Sequence, residues 1–184
     1  PLGFLDANIR CGDALLGVFD LEVLREGIPD AAYKPLTGDD KETAKYYAKR
    51  NKDEKAGQGE LDLLSGKSQL PPPPPLAKTT RTLRSLPEDS VKEIAEKRQK
   101  FEASQNDPIR CKWRVGADMY IAAFLAPKVG GEPPSFNAAT IPTTGHIWEQ
   151  LSDSHTDETL IETTQDLASK AHAFHWPLEF PDIM

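Results

Sequence analysis

The stretch Trp113-Arg-Val-Gly-Ala-Asp-Met-Tyr-Ile-Ala-Ala-Phe-Leu-Ala-Pro127 governs how the rest of this chain folds. Trp113, Ala117, Tyr120, Ile121, Phe124 and Leu125 recur at helical spacing, and the segment is apolar over much of its circumference. A helix of that kind has little surface to offer water. The pattern therefore predicts the most buried element of the chain, ended by Pro127.

Working outward, residues 87–106 read as a helix with Pro87 in its first turn and Glu88 and Asp89 at its positive end. Val91, Ile94, Ala95, Arg98 and Phe101 track one face, and Asn106-Asp107-Pro108 stops it. Residues 128–143, rich in Gly, Pro and Thr, read as a loop. Helical patterns return over 144–152 and 157–173, the latter with Thr156 as N-cap. Nearer the start, Ile9 to Cys11 suggests a short strand. Asp20 is placed to cap a short helix that Gly27 ends. Residues 39–56 predict a peripheral helix with an Asp39/Glu42 capping box, a narrow apolar stripe of Ala44, Tyr47 and Ala48, and a break at Gly57-Gln-Gly59. Five consecutive prolines, Pro71 to Pro75, exclude helix and central strand and predict polyproline II. A stiff spacer and a ligand for a proline-binding module both fit such a run. The tail, 174–184, reads as extended because of Pro177 and Pro181.

The expected fold class is thus mainly α, a helical body with short extended segments at both ends. Its expected divisions are 1–19, a helical segment 20–64, a proline-rich linker 65–86, a helical body 87–173 and a return segment 174–184. A net charge of −7 weighs against an autonomous nucleic-acid binder. Charge is nevertheless uneven. Residues 78–114 hold ten basic and six acidic side chains, whereas 144–184 hold one basic and eight acidic. Lys97, Arg98, Lys112, Trp113 and Arg114 form the candidate DNA-contacting set, an ordinary solvated helix face being the other interpretation. No apolar run approaches the length of a membrane helix, so no membrane partner is expected. Two cysteines, Cys11 and Cys111, fit a reduced, cytoplasmic protein better than a disulfide-stapled one.

Motifs that carry complete chemistry are missing. His146, His155, His172 and His175 form no zinc-binding pattern, and no metal site is expected. Cys111 has no sequence partner that would mark a nucleophile, and there is no phosphate-binding glycine loop and no Gly-x-Ser-x-Gly. No catalytic residue is assigned.

The two ends read together carry more. Pro1-Leu-Gly-Phe-Leu-Asp-Ala-Asn-Ile-Arg-Cys-Gly-Asp-Ala-Leu-Leu-Gly17 resembles a phrase of large bacterial adenine-specific DNA methyltransferases. These belong to restriction–modification and phage-exclusion systems. Phe174-His-Trp-Pro-Leu-Glu-Phe-Pro-Asp182 resembles the phrase that precedes their catalytic strand. Gly27-Ile-Pro-Asp30 and the segment from Ala117 to Pro127 are similar to parts of the family as well. The middle of the chain, with its proline run, is not covered.

That resemblance implies a doubly wound α/β domain with S-adenosylmethionine at the carboxyl ends of its strands. It implies an adenine flipped from the duplex and held by an Asn-Pro-Pro-aromatic loop. Neither that tetrapeptide nor the family's glycine-rich cofactor loop occurs here, so the chain is expected to be an internal piece, inactive and weakly cofactor-binding alone. Asp13 matches the acidic residue that approaches the adenine end of the cofactor, with Ala14 and Leu15 lining that pocket. A plain turn or helix-cap role is the alternative for Asp13. The long stretch between the phrases then becomes a helical insertion, with DNA and other domains of the same polypeptide as expected partners. The competing expectation is a helical protein–protein interaction module without catalytic activity.

Overall fold

Asp107 starts the central helix by accepting the backbone N–H groups of Ile109 and Arg110 on its carboxylate, at 2.9 and 3.0 Å. Pro108 follows in the first turn, where a missing N–H costs nothing. The computed structural model describes residues 4–5, 7–65, 70–133, 135, 138–154 and 156–184. In chain order these form α1 (Glu22–Glu26), a single 3-10 turn (Asp30–Tyr33), α2 (Lys41–Ser65), α3 (Leu76–Arg84), α4 (Val91–Gln105), α5 (Pro108–Leu125), α6 (Thr144–Leu151), α7 (Glu158–Lys170) and α8 (Trp176–Glu179). The protein is mainly α. Among the described residues there is no strand, only an isolated parallel bridge between Asp13 and Ala173.

As the apolar pattern requires, α5 is the hub. Trp113, Ala117, Met119, Ile121, Ala122 and Ala123 are buried on it, and α6 and α7 pack along its length. Leu24, Ile28, Tyr33, Tyr47, Ile147, Leu151 and Leu178 complete the same core. At the far end of α5, the buried Lys128 ammonium donates to the carbonyls of Ala123 and Phe124, at 3.0 and 3.2 Å. A cation there complements the negative helix terminus, while burial lowers the lysine's pKa. α2 is tied to the start of α6 by polar groups. Asn51 Oδ1 accepts from the Thr144 N–H (2.9 Å) and hydroxyl (2.6 Å), and Glu54 accepts from the Gly145 N–H (2.8 Å). A Cβ at Gly145 would sit 2.9 Å from the Glu54 carboxyl carbon, so a glycine lets this carboxylate reach the positive end of α6.

Several boundaries differ from the sequence expectation, each for a local reason. α2 is capped by Asp40, which receives the N–H of Glu42 and of Thr43, while Asp39 turns away to accept from Leu36 and Lys128. It also runs through Gly57 to Ser65, because one glycine costs a helix only about 1 kcal/mol against alanine and does not break a propagating turn. α4 begins at Val91, not at Pro87. Ser90 and Glu93 form a reciprocal capping box, and Glu88 is drawn off to other partners. Its inward residue is Lys97, whereas Val91 is 86% exposed. Asp157, not Thr156, caps α7. Part of the expected linker is helix α3, which starts as soon as the prolines end, and residues 66–69 lie outside the described residues. The return segment turns into the single-turn α8, since a proline is tolerated in a first helical turn. Ile9 to Cys11 form no strand.

Candidate functional site

The two end phrases meet. The Asp13 N–H donates to the His172 carbonyl (2.7 Å), Phe174 N–H to the Leu16 carbonyl (2.7 Å) and Trp176 N–H to the Val18 carbonyl (3.1 Å). The Trp176 indole N–H donates to the Ala14 carbonyl at 3.0 Å. His175, nearly buried, accepts the Val18 N–H on Nδ1 (3.3 Å) and sets Nε2 2.9 Å from Asp118 Oδ1 on α5. Because Nδ1 accepts, Nε2 carries the proton and donates it to Asp118. The glycines of the first phrase follow from this approach. A Cβ on Gly12 would lie 2.5 Å from the Phe174 ring, and one on Gly17 would lie 1.9 Å from the Phe174 carbonyl oxygen. Phe174, Trp176 and Phe180 stack beneath as an aromatic cluster, with centroids 5.0 to 6.1 Å apart.

Asp13, Ala14 and Leu15 therefore project together from a turn braced on the return segment. Asp13 Oδ1 accepts the Leu15 N–H at 3.0 Å, an Asx turn that leaves the outer face of the carboxylate open. All three are exposed, Leu15 by 88%. Ile9, Phe19, Ile183 and Met184, also more than half exposed, belong to the same two phrases or their flanks. Residues 1–3 and Asp6 of the first phrase lie outside the described residues.

Of the five residues expected to touch DNA, Lys97 and Trp113 are buried, which corrects the expectation for those two. Trp113 is 1% exposed and belongs to the core. Lys97 is buried, with its ammonium donating to Glu88 (2.6 Å) and to the Arg84 and Leu86 carbonyls. Lys112 pairs with Asp153 at 2.7 Å, and Arg114 pairs with Glu179 at 3.1 Å. Arg98 is exposed, its guanidinium 5.9 Å from the Phe4 ring centroid, and Lys112 and Arg114 are partly so. Alternation of charge along the chain concealed that α4 and α5 turn some of these cations inward.

Sequence reasoning missed an arginine cluster formed where α3, α4, α5 and α8 converge. Arg10 and Arg114 both reach Glu179, at 3.2 and 3.1 Å, and Arg84 reaches Asp182 at 2.9 Å. Arg110, 2% exposed, donates to the Leu178 carbonyl and to Ser104 Oγ (3.4 Å). Gln105 turns its amide oxygen toward the guanidiniums of Arg10 and Arg110. Burial, with repulsion from Arg114 only partly offset by Glu179, lowers the Arg110 pKa to about 10. The cluster was hidden because its arginines come from three separate segments and their partners from two more.

Among the described residues, no group of three or more His, Cys, Asp or Glu is arranged to hold a metal ion, and no helix is long and apolar enough to cross a membrane. His155 lies outside the described residues. No protein-family model, no curated protein and no solved structure matches the chain.

Proposed function

We propose that this chain is part of an S-adenosylmethionine-dependent DNA adenine-N6 methyltransferase of the restriction–modification or phage-defence kind. Its helical body is an insertion between two phrases of the α/β methyltransferase fold, and it is inactive alone. One observation carries the reading. The phrases are distant in sequence yet run parallel and hydrogen-bonded, with Phe174 lying on Gly12 and Gly17. A cofactor pocket built from two neighbouring segments needs that juxtaposition. It leaves the Asp13 carboxylate free to accept the amino group of the cofactor's adenine, with Ala14 and Leu15 as apolar walls. The remaining domains of the polypeptide then cover the exposed Leu15 and Phe19. They also supply the glycine-rich cofactor loop and the Asn-Pro-Pro-aromatic loop that accepts from the target amine, keeping its lone pair available to attack the methyl sulfonium. DNA and these domains are the partners, in the cytoplasm.

The test is methyl transfer from labelled S-adenosylmethionine to duplex adenine by the protein expressed from its whole natural reading frame. Asp13→Ala is expected to weaken cofactor binding at least ~10-fold, the equivalent of about 1.4 kcal/mol, without lowering the melting temperature. A protein that binds no cofactor, or an Asp13→Ala variant that binds it as the wild type does, refutes the proposal. The second reading, a helical protein–protein interaction module, is favoured by the α5-centred core, which closes on its own helices. Failure of cofactor binding would leave that reading standing.

A further inference from the structure

We infer that the groove between α3 and the C-terminal half of α4 is a binding site for the phosphate of a nucleotide. The groove encloses about 590 Å³ and is lined by Lys78, Thr79 and Thr82 on one side and Lys100, Ser104 and Asp107 on the other, with Leu83 and Leu86 as an apolar wall. Lys78 and Lys100 stand exposed on opposite rims and make no ion pair among the described residues. Asp107 is already engaged, since its carboxylate caps α5.

The floor makes the groove more than a solvated cleft. Ser104 Oγ accepts from Arg110 Nη1, so its own hydroxyl proton is left to donate elsewhere, polarised by the cation behind it. Arg110 is 2% exposed, and its Nε has no hydrogen-bond partner. Behind Ser104, four guanidiniums (Arg10, Arg84, Arg110, Arg114) face the carboxylates of Glu179 and Asp182, and Asp107 attracts Arg110 from the start of α5. Excess positive charge, with Arg110 itself shut off from water, is unfavourable unless an anion approaches it. The low-dielectric walls direct its field out through the nearest opening. The opening lined by Arg10, Arg84 and Arg110 shares Leu83 and Ser104 with the groove, so that field reaches the groove's edge, where two lysines and the hydroxyls of Thr79 and Ser104 offer donors to phosphate oxygens, the Thr82 hydroxyl being spent on the Lys78 carbonyl. The leucine wall suits the flat, weakly polar face of a base. This site does not depend on the methyl-transfer reading.

The phosphate-bearing partner is either a free nucleotide or a nucleotide within a strand, and the experiment separates them. The ¹⁵N-labelled protein is titrated with AMP, with inorganic phosphate and with a short fluorescein-labelled oligothymidylate. Saturable shifts are expected at the amides of Thr79–Thr82 and Ala103–Gln105. Lys78→Glu combined with Lys100→Glu should weaken binding at least ~10-fold, and Ser104→Ala should weaken it about 3-fold with the melting temperature unchanged. The control pair Lys45→Glu/Lys49→Glu makes the same charge change on α2 and should alter binding by less than about 2-fold. A strand affinity well above that of AMP, falling with log salt, assigns the site to nucleic acid, whereas equal affinity assigns it to a free nucleotide. Failure of all three probes to saturate, shifts confined to other faces, or equal losses from both double variants would overturn the inference.

Discussion

Gly17→Ala should separate the two ends of the chain, and its cost can be worked from the geometry. The added Cβ would lie 1.9 Å from the Phe174 carbonyl oxygen, 2.5 Å from its carbonyl carbon and 3.2 Å from its nitrogen. All three are backbone atoms, so no side-chain rotation relieves the contact. Restoring ordinary van der Waals separation requires roughly 1.5 Å of movement between the segments. That is enough to break the bonds from Phe174 N–H to Leu16 and from Trp176 N–H to Val18, and to pull the His175 ring from the Val18 N–H. Three lost bonds at about 1 kcal/mol each predict a destabilisation of about 3 kcal/mol. Gly57→Ala is the matched control. It lies within α2 with open space around it, so the added methyl should raise stability by about 0.5–1 kcal/mol. Urea unfolding gives both values, and amide hydrogen exchange reads the site directly, with protection at Phe174 and Trp176 lost in Gly17→Ala alone. If Gly17→Ala unfolds at the wild-type midpoint with both amides still protected, the close approach of the phrases is not what holds them together.

Trp113→Ala empties the centre of α5 and should cost about 3–5 kcal/mol in urea unfolding, whereas a surface role in DNA contact would leave stability almost unchanged. The Glu88 carboxyl is held below its ordinary pKa by the Lys97 ammonium and then by the Phe4 N–H, so its contribution is present above the ordinary carboxylate range and is lost as pH falls through the lowered value. Glu88→Gln should therefore flatten the acid limb of a stability–pH curve, and an unchanged slope would refute this. Burial raises the Tyr33 pKa, its hydroxyl donating to the Pro142 carbonyl at 2.8 Å. Its contribution is intact below the ordinary tyrosine range near ~10 and is lost as pH rises toward the raised value. Tyr33→Phe should cost about 1 kcal/mol at neutral pH and remove that alkaline sensitivity.

Local chemistry was legible wherever it depended on neighbours in sequence. The apolar residues that cover most of the circumference of 113–125 predict the hub helix. Gly27, at φ +86°, ends α1 as its type and position suggested, whereas Leu21 and not Asp20 is the N-cap, Asp20 receiving the Glu22 N–H from one residue earlier. The cap of α2 lies one position beyond the expected Asp39 because Asp39 and Asp40 are equally good acceptors. The local Leu36 N–H and the returning Lys128 N–H, both donated to Asp39, separate their roles. The end of α2 lies beyond the expected break at Gly57 because a glycine's effect depends on the helix around it.

By itself, then, the chain's order of residues determined a mainly helical protein, its central helix, and the presence of two phrases resembling methyltransferase segments. Periodicity, capping and proline geometry act over a few residues, and those are printed in the sequence. Tertiary structure alone decided that the phrases touch, that Gly12 and Gly17 make room for Phe174, and that Lys97 and Trp113 face inward. It alone gathered Arg10, Arg84, Arg110 and Arg114 behind one groove. Whether a charged side chain meets water, a carboxylate or another cation depends on which distant segments pack against it, and that is set by burial of the whole core.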